Sequence, residues 1–221
     1  MTIADLSEEK VDAIELQVDR ILAERTFGHF LDWVRVKDPP PGLGIRPFIK
    51  WEYTQKISEV LSWAKFVVWL KARQIGATTE LAAFSRWKSY PPYSEVMLFS
   101  QGEMEAQDFL DKAKTIEDQL PDHLKLGSPR DNLSVVTFSN HSRIRALPTT
   151  QRAGRSTTAS LVILDEADFM DYLDDLLGAV MPTINDGDRQ LIMISTRNKL
   201  KTNSKFQQIY KEGVSIDEAI A

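Results

Sequence analysis

The sequence predicts an α/β domain whose central sheet is mostly parallel and is covered by helices on both faces. Short, almost purely apolar runs typical of buried strands alternate along the chain with segments of helical periodicity. Three of these runs, at residues 66–70, 161–164 and 190–194, end in polar residues. The carboxyl ends of parallel strands form the usual ligand-binding edge of such a sheet, so we expect a site where these runs end.

The first of the three runs begins the segment FVVWLKARQIGATTE at residues 66–80, which has the order strand, polar loop and helix. Backbone N–H groups at a helix N-terminus point toward a bound anion, and the helix dipole favours negative charge there. We therefore predict a phosphate loop at residues 71–79, with the N–H groups of residues 74–79 directed at the β-phosphate of a nucleotide. Its predicted nucleotide-binding residues are Lys71, Arg73, Gln74, Ile75, Gly76, Ala77, Thr78 and Thr79.

This loop departs from the standard P-loop (Walker A) pattern G-x-x-x-x-G-K-[ST]. Gly76 and Thr78 occupy the second glycine and the hydroxyl positions. Ala77 stands where the pattern has lysine, and Lys71 stands where it has the first glycine. A triphosphate still needs a cation, so we expect the ammonium of Lys71 to enter from the strand side, with Arg73 as a second cation. For this stretch alone, the alternative is an ordinary strand-to-helix turn with exposed basic residues.

Two adjacent carboxylates follow the apolar run at residues 161–164. Adjacent side chains at a strand end point in different directions, which permits two roles. We expect Asp165 to hold Mg²⁺ together with the hydroxyl of Thr78, and Glu166 to polarise a water molecule for in-line attack on the γ-phosphate. A charged strand-to-helix turn would explain the pair if it stood alone. In combination with the phosphate loop, the pair predicts a nucleoside triphosphate site.

Two further positions suit contacts with a nucleotide. Ser195 and Thr196 end the third run, where their hydroxyls can form hydrogen bonds toward the γ-phosphate. Gln55 lies on a helix predicted from about Tyr53, and its amide can donate to and accept from an adenine edge at once. A strand-end turn and a solvated helix glutamine are the simpler alternatives for these residues.

Composition excludes several classes of protein. The formal net charge is −5, so a contact with nucleic acid would require a local basic patch. The chain has no cysteine, which excludes disulfides and thiolate metal sites. No apolar run approaches the roughly 18 residues of a membrane span, and the acidic N-terminus is unlike a signal peptide. We expect a cytosolic protein that makes no membrane contact.

The prolines and glycines of residues 39–44 divide the chain into two predicted parts. Residues 1–45 are interpreted as a helical N-terminal arm or lid, and residues 46–221 as the main domain. The three histidines share no spacing typical of a metal site. A cluster of acids after the second run is expected to form a solvated helix face; its members are Asp168, Asp171, Asp174 and Asp175.

Taken together, these motifs resemble the ATPase domain of the large terminase subunit, the DNA-packaging motor of tailed bacteriophages. The resemblance rests on PFIKWEYTQ, KARQIGATT, GRSTTASLVILDEADF and ISTRN, within residues 46–198. It implies a P-loop NTPase fold of ASCE, or RecA-like, type with ATP and Mg²⁺ as cofactors. The implied partners are double-stranded DNA, further large subunits in a ring, the portal protein and the small terminase subunit, in the host cytoplasm.

The resemblance also implies an arginine that acts on the nucleotide of a neighbouring subunit. Arg155 is the matching position and Arg152 the alternative, although Ser156 stands where many relatives have glycine. Several terminases likewise carry the lysine at the start of the loop, as Lys71 does here. The family has a C-terminal RNase H-like nuclease domain that the 221 residues leave no room for, so we expect ATP hydrolysis without nuclease activity.

Two other functions remain open at this point. A DEAD-box-like helicase domain is suggested by the letters of residues 165–168, but such enzymes need a Gly-Lys-Thr loop and a second RecA-like domain. A nucleotide-binding module that does not hydrolyse is suggested by the absence of the usual lysine. Glu166 favours hydrolysis over this second alternative, because a protein that only binds does not need an acid to activate water.

Overall fold

The computed structural model describes residues 8–37, 44–128, 130–150 and 158–220. Within them, helices α1–α8 are Glu8–Arg25, Phe27–Trp33, Glu52–Trp63, Ala77–Trp87, Glu103–Gln119, Leu173–Asn185, Lys205–Glu212 and Ile216–Ile220. Strands β1–β9 are Arg35–Lys37, Ile45–Pro47, Phe66–Leu70, Glu95–Ser100, Arg130–Asp131, Val135–Thr137, Arg143–Pro148, Leu161–Asp165 and Gln190–Ser195. None of the described helices is both long enough and apolar enough to cross a bilayer.

The main sheet has the strand order β3-β9-β8-β4-β7-β6-β5. The first five strands run parallel, and β6 and β5 are antiparallel additions at one edge. Strands β4, β8 and β9 are buried along their whole length, which is why their sequences are almost unbroken apolar runs. The predicted α/β class with a mostly parallel sheet between helices is confirmed.

The strand order places the functional motifs side by side. Strand β9 lies between β3 and β8, although it follows both of them in the chain. Because these three strands are parallel, their carboxyl ends meet at one edge of the sheet. The phosphate loop after β3, the carboxylates at the end of β8 and the hydroxyls at the end of β9 are therefore neighbours.

The described part of the N-terminal region packs on the main domain. The ring of Phe27 on α2 lies 4.9 Å from that of Phe84 and 5.6 Å from that of Trp87, both on α4. The indole N–H of Trp87 donates to the carbonyl of Ala23 at 2.9 Å. These contacts join α1 and α2 to the same hydrophobic core as α4. The division into an arm or lid at residues 1–45 and a main domain at residues 46–221 stays a prediction.

A buried ion pair joins α4 to α5. Arg86 and Glu117 are both buried and bonded to each other. The carboxylate of Glu117 also accepts the backbone N–H groups of Leu126 and Gly127, at 2.9 and 2.7 Å. The guanidinium of Arg86 donates to the carbonyl of Leu124 at 2.9 Å. Removing two charges from water is costly unless each is paired and hydrogen-bonded, and this pair largely meets that condition.

A second buried acid lies between α3 and α4 and forms no ion pair with a cation of the described residues. Glu80 on α4 is fully buried, and one of its carboxyl oxygens accepts a hydrogen bond from Ser58 on α3 at 3.0 Å. The other oxygen has no partner among the described residues. Burial raises the pKa of Glu80 to about 8, so the side chain is mostly protonated at neutral pH.

Replacement of Glu80 by glutamine should remove a pH dependence of stability. The pKa of Glu80 in the folded state lies above its ordinary value of 4.5, so its stabilising effect is complete at low pH and is lost as pH rises toward about 8. We expect Glu80→Gln to be more stable than the unsubstituted chain at about pH 9, by roughly 1–3 kcal/mol, and similar in stability at about pH 5.

Urea unfolding followed by circular dichroism at several pH values measures this difference. Glu59→Gln is the matched control, because Glu59 is an exposed glutamate on α3. Stability profiles that run parallel for Glu80→Gln and the unsubstituted chain would contradict the protonated state of Glu80.

Candidate nucleotide-binding site

Two residues of the predicted phosphate loop have left-handed backbone conformations. Gly76 immediately precedes α4 and has φ +79°, a conformation that strains any residue with a side chain. Gln74 also has a positive φ, at 60°. These conformations turn the chain sharply from β3 into the N-terminus of α4. Ala77 is buried in the core, so its side chain points away from the phosphate side of the loop, where a standard lysine would act.

Lys71 and Arg73 have different surroundings. The side chain of Lys71 is only 8% exposed, and its ammonium donates to Glu166 Oε1 at 2.7 Å. Arg73 is exposed. Lys71 therefore enters the site from the strand side, which is the orientation that the displaced-cation hypothesis needs. Its contact with phosphate, and that of Arg73, stay predictions.

Glu166 is held in a strained conformation by contacts on both sides. Its backbone has φ 54° and ψ 43°, which is uncommon for a residue other than glycine and is often found at functional sites. Its Oε2 accepts the backbone N–H of Thr196 at 3.0 Å, the hydroxyl of Thr196 at 3.2 Å and that of Ser195 at 3.3 Å. Burial acts to raise the pKa of Glu166, but the bonds from Lys71 and Thr196 outweigh it and lower the pKa.

Asp165 presents a free oxygen at the end of β8. The residue is buried, and its Oδ1 has no hydrogen-bond partner in the described part of the chain. Burial, followed by the negative charge of Glu166, raises the pKa of Asp165 to about 6, while the charge of Lys71 acts in the opposite direction. An orphaned carboxylate oxygen in this position fits a bound cation.

The set of possible metal ligands is small. Thr78 lies in the first turn of α4 and is partly buried. Among the described residues, no group of three or more His, Asp or Glu side chains is arranged to hold a metal ion. Asp165 and Thr78 as Mg²⁺ ligands stay a prediction; Mg²⁺ at a nucleotide usually has one or two protein ligands, with phosphate oxygens and water completing its coordination.

In the structure, the two residues predicted to contact the γ-phosphate form hydrogen bonds with Glu166. Ser195 and Thr196 both bond to Glu166 rather than being directed only at an open phosphate position. The carbonyl of Ser195 also accepts the backbone N–H of Lys71 at 2.9 Å. The end of β9 thus contacts both partners of the Lys71–Glu166 ion pair.

The predicted solvated face is wrong for one of its four members. Asp168 is 1% exposed, whereas Asp171, Asp174 and Asp175 are exposed. The 3-10 turn at Ala167–Phe169 directs Asp168 inward, where it accepts hydrogen bonds from the segment that follows β9. Helical spacing of the acids does not reveal this, because the turn that follows β8 is not α-helical.

Helix α3 contacts the phosphate loop through a residue that the sequence does not single out. The hydroxyl of Tyr53 donates to the carbonyl of Ile75 at 2.6 Å. Gln55 is exposed on the same helix, and its amide donates to the carbonyl of Lys50 at 3.4 Å. The proposed contact of Gln55 with adenine stays a prediction.

Thr79 and the two candidate arginines differ in placement from the other predicted site residues. Thr79 lines a cavity of about 620 Å³ between β1 and α5, together with Lys37 and Lys112, and the rest of the phosphate loop does not line it. Arg155 and its alternative Arg152 lie outside the described residues, so the identity of the trans-acting arginine stays a prediction.

Comparison with known proteins identifies the family of this chain. Residues 68–211, more than half of the chain, match the family described as terminase large subunit, T4likevirus-type, N-terminal.

Three solved structures share the fold. The large terminase ATPase domain of Thermus phage P74-26 is 19% identical, with a TM-score of 0.58, and the match covers 76% of this chain and 71% of that one. The large terminase of bacteriophage HK97 is 17% identical, with a TM-score of 0.62 and coverage of 90% and 41%. The large terminase of a thermophilic bacteriophage in complex with ADP is 10% identical, with a TM-score of 0.50 and coverage of 64% and 38%.

This chain spans less than half of the last two relatives. At these sequence identities the structural matches establish the fold alone, and the match to the family establishes family membership. The chain therefore belongs to the terminase large subunit family and is an ATPase motor domain of phage DNA packaging.

Proposed function

We propose that this motor domain hydrolyses Mg²⁺-ATP at the joined ends of β3, β9 and β8, with Lys71 as the phosphate cation and Glu166 as the water-activating acid. The observation that carries the proposal is the 2.7 Å ion pair between these two side chains, which are far apart in sequence. The fold thus brings a cation that can bind phosphate and a carboxylate that can polarise water into one site, and phosphoryl transfer to water uses both kinds of group.

The same ion pair corresponds to the site before a nucleotide binds. While Lys71 and Glu166 neutralise each other, Glu166 is a weak base because its pKa is lowered. The γ-phosphate of an incoming nucleotide competes for the ammonium of Lys71. Once Lys71 turns to the phosphate, Glu166 loses its positive neighbour, and its pKa rises toward that of a better proton acceptor. Thr196 keeps hold of Glu166 through the backbone N–H during this exchange.

Asp165 and Thr78 would hold Mg²⁺ beside the phosphate loop. When bound, Mg²⁺ neutralises charge on the β- and γ-phosphate oxygens. The orphaned Oδ1 of Asp165 supports this assignment, because a buried carboxylate oxygen without a partner is costly unless a ligand satisfies it. Backbone N–H groups of residues 74–79 would bind the β-phosphate, and the exposed Arg73 would add a second cation at the mouth of the site.

A complete site would include an arginine from a neighbouring copy in a ring, with Arg155 as the first candidate and Arg152 as the second. The family further favours double-stranded DNA, the portal protein and the small terminase subunit as partners, and the host cytoplasm as the location. Family membership favours this packaging role over the helicase and the non-hydrolysing module considered from the sequence.

Replacement of Glu166 by glutamine should abolish turnover without abolishing nucleotide binding. The amide keeps the shape of the side chain but cannot accept the proton of the attacking water, a loss typically of about 10²–10⁴-fold in rate. Phosphate release measures turnover, and binding of a fluorescent ATP analogue measures affinity. Both are best measured at high protein concentration, where copies can supply the trans-acting arginine. Glu212→Gln, which changes an exposed glutamate at the end of α7, is the control. Unchanged turnover in Glu166→Gln would make the role assignment wrong.

Replacement of Lys71 by alanine should weaken ATP binding more than the same change at Arg73. The buried ammonium of Lys71 would form charge-assisted hydrogen bonds to phosphate, and their loss corresponds to about 10- to 100-fold in Kd. Arg73 is exposed, so screening by water should limit the effect of Arg73→Ala to a few-fold. Isothermal titration with ATP and Mg²⁺ compares the two variants directly. Equal effects, or no effect of Lys71→Ala on affinity and hydrolysis, would refute the displaced cation.

A further inference from the structure

A strongly basic segment follows β9. Residues 197–205, called the basic loop below, contain four of the 27 Lys and Arg residues and none of the 32 Asp and Glu residues. The chain as a whole is acidic, so this concentration of positive charge is local. Leu200 lies within the loop and is 95% exposed, which is unusual for a large apolar side chain.

Most of this charge is free to meet an anion. Lys201 is the exception, because its ammonium donates to the carbonyl of Met170 and to Asp171, both at 3.3 Å. Arg197, Lys199 and Lys205 are exposed and form no ion pair within the described residues. The basic residues of β7 differ from these, since Arg143 and Arg145 both pair with Glu95.

The backbone of the basic loop is fixed from beneath by one buried acid. The N–H of Asn198 donates to Asp168 Oδ2 at 2.6 Å, and the hydroxyl of Ser204 donates to Oδ1 of the same carboxylate. The side-chain amide of Gln207 bridges Asp168 and the carbonyl of Lys201, at 2.9 Å each. Both ends of the loop are therefore held on Asp168, and the exposed cations project from a constrained backbone.

The same contacts connect the loop to the catalytic acid. Asp168 lies two residues after Glu166, and its N–H donates to the hydroxyl of Ser195 at 3.1 Å. Thr196, which bonds Glu166, immediately precedes Arg197. A displacement of Glu166 on nucleotide binding therefore acts on the loop through Thr196 and through Asp168.

We propose that the basic loop binds the phosphate backbone of duplex DNA and that Asp168 is the positioning residue that sets its place relative to Glu166. Lys and Arg contacts to phosphate carry no sequence information, which suits a motor that must move along any sequence. The inference rests on the proposed function, because it assigns a contact surface to the substrate that the ATPase would move.

The test is nucleotide-free binding of the chain to a short fluorescently labelled DNA duplex over a series of salt concentrations. The double variant Lys199→Gln/Lys205→Gln should bind about tenfold more weakly at low salt, and its plot of log K against log salt should be shallower by about two units. The double variant Lys10→Gln/Lys37→Gln removes the same charge from two exposed lysines on α1 and β1 that form no ion pair within the described residues, and should match the unsubstituted chain. The single variant Lys201→Gln should weaken DNA binding less than a single replacement of Lys199 or Lys205, because the ammonium of Lys201 is already paired.

Three results would overturn the proposal: no binding of the unsubstituted chain at low salt, an unchanged affinity and slope in the loop double variant, or an equal loss in the Lys10→Gln/Lys37→Gln control. Unchanged DNA affinity would point to a protein partner for the loop instead. Thermal melting shows whether each variant is folded. If the loop double variant is not folded, the DNA affinities of the single variants Lys199→Gln and Lys205→Gln decide the result. Because this assay contains no nucleotide, a negative result in it is independent of the outcome of the Glu166→Gln turnover measurement.

The positioning role is tested by the ratio of DNA-stimulated to basal ATP turnover. Asp168→Asn should lower this ratio, because an amide oxygen accepts more weakly than a carboxylate and the loop loses its clamp. Gln207→Ala, which removes the bridge between Asp168 and Lys201, should lower the ratio as well and serves if Asp168→Asn does not fold. A ratio equal to that of the unsubstituted chain in the folded variants would refute the role of Asp168.

Discussion

The ion pair between Lys71 and Glu166 is the interaction on which the architecture of the site depends. It joins the ends of two strands that lie on either side of β9, and the end of β9 bonds to both residues. The pair compensates for the burial of each charge, and Glu166 has a backbone conformation that few residues other than glycine adopt. It also accounts for the unusual loop, because a lysine that enters from the strand leaves position 77 free to pack in the core.

Three buried acids of this domain differ in how their charge is compensated. The difference distinguishes acids that are complete without a ligand from one that can bind a cation. Glu117 is paired with Arg86 and further bonded by backbone N–H groups. Glu80 forms no ion pair with a cation of the described residues and keeps its proton, with a pKa of about 8. Asp165 has a pKa of about 6 and is therefore mostly ionised at neutral pH, yet one of its oxygens is unsatisfied. Only the last of these arrangements leaves a negative charge for a ligand to complete.

The end of β9 forms more contacts in the site than hydrogen bonds toward the γ-phosphate alone would require. Ser195 contacts Glu166 and the N–H of Asp168, and Thr196 contacts Glu166 through both backbone and hydroxyl. The chain then continues directly into the basic loop. Glu166 and the basic loop are therefore linked by residues that are bonded directly to Glu166 and that immediately precede the loop. This short path offers a physical basis for coupling chemistry to movement of a bound polyanion.

The sequence by itself determined the local features: the apolar runs that become buried strands, the glycine that turns the phosphate loop, the adjacent carboxylates and the lysine at the start of the loop. Each depends on side-chain pattern or backbone preference within a few residues, and such preferences can be recognised without a fold. They were enough to predict the class of the fold and the motifs of the candidate site.

Only the tertiary structure decided which strand ends are neighbours. No local pattern states that β9 lies between β3 and β8, because strand order follows from the packing of the whole sheet. The contacts that depend on this order were therefore not predictable: Thr196 with Glu166, and Asp168 with Asn198. The link from Tyr53 to Ile75 has the same origin in long-range packing, since an aromatic residue on an amphipathic helix gives no sign of its partner.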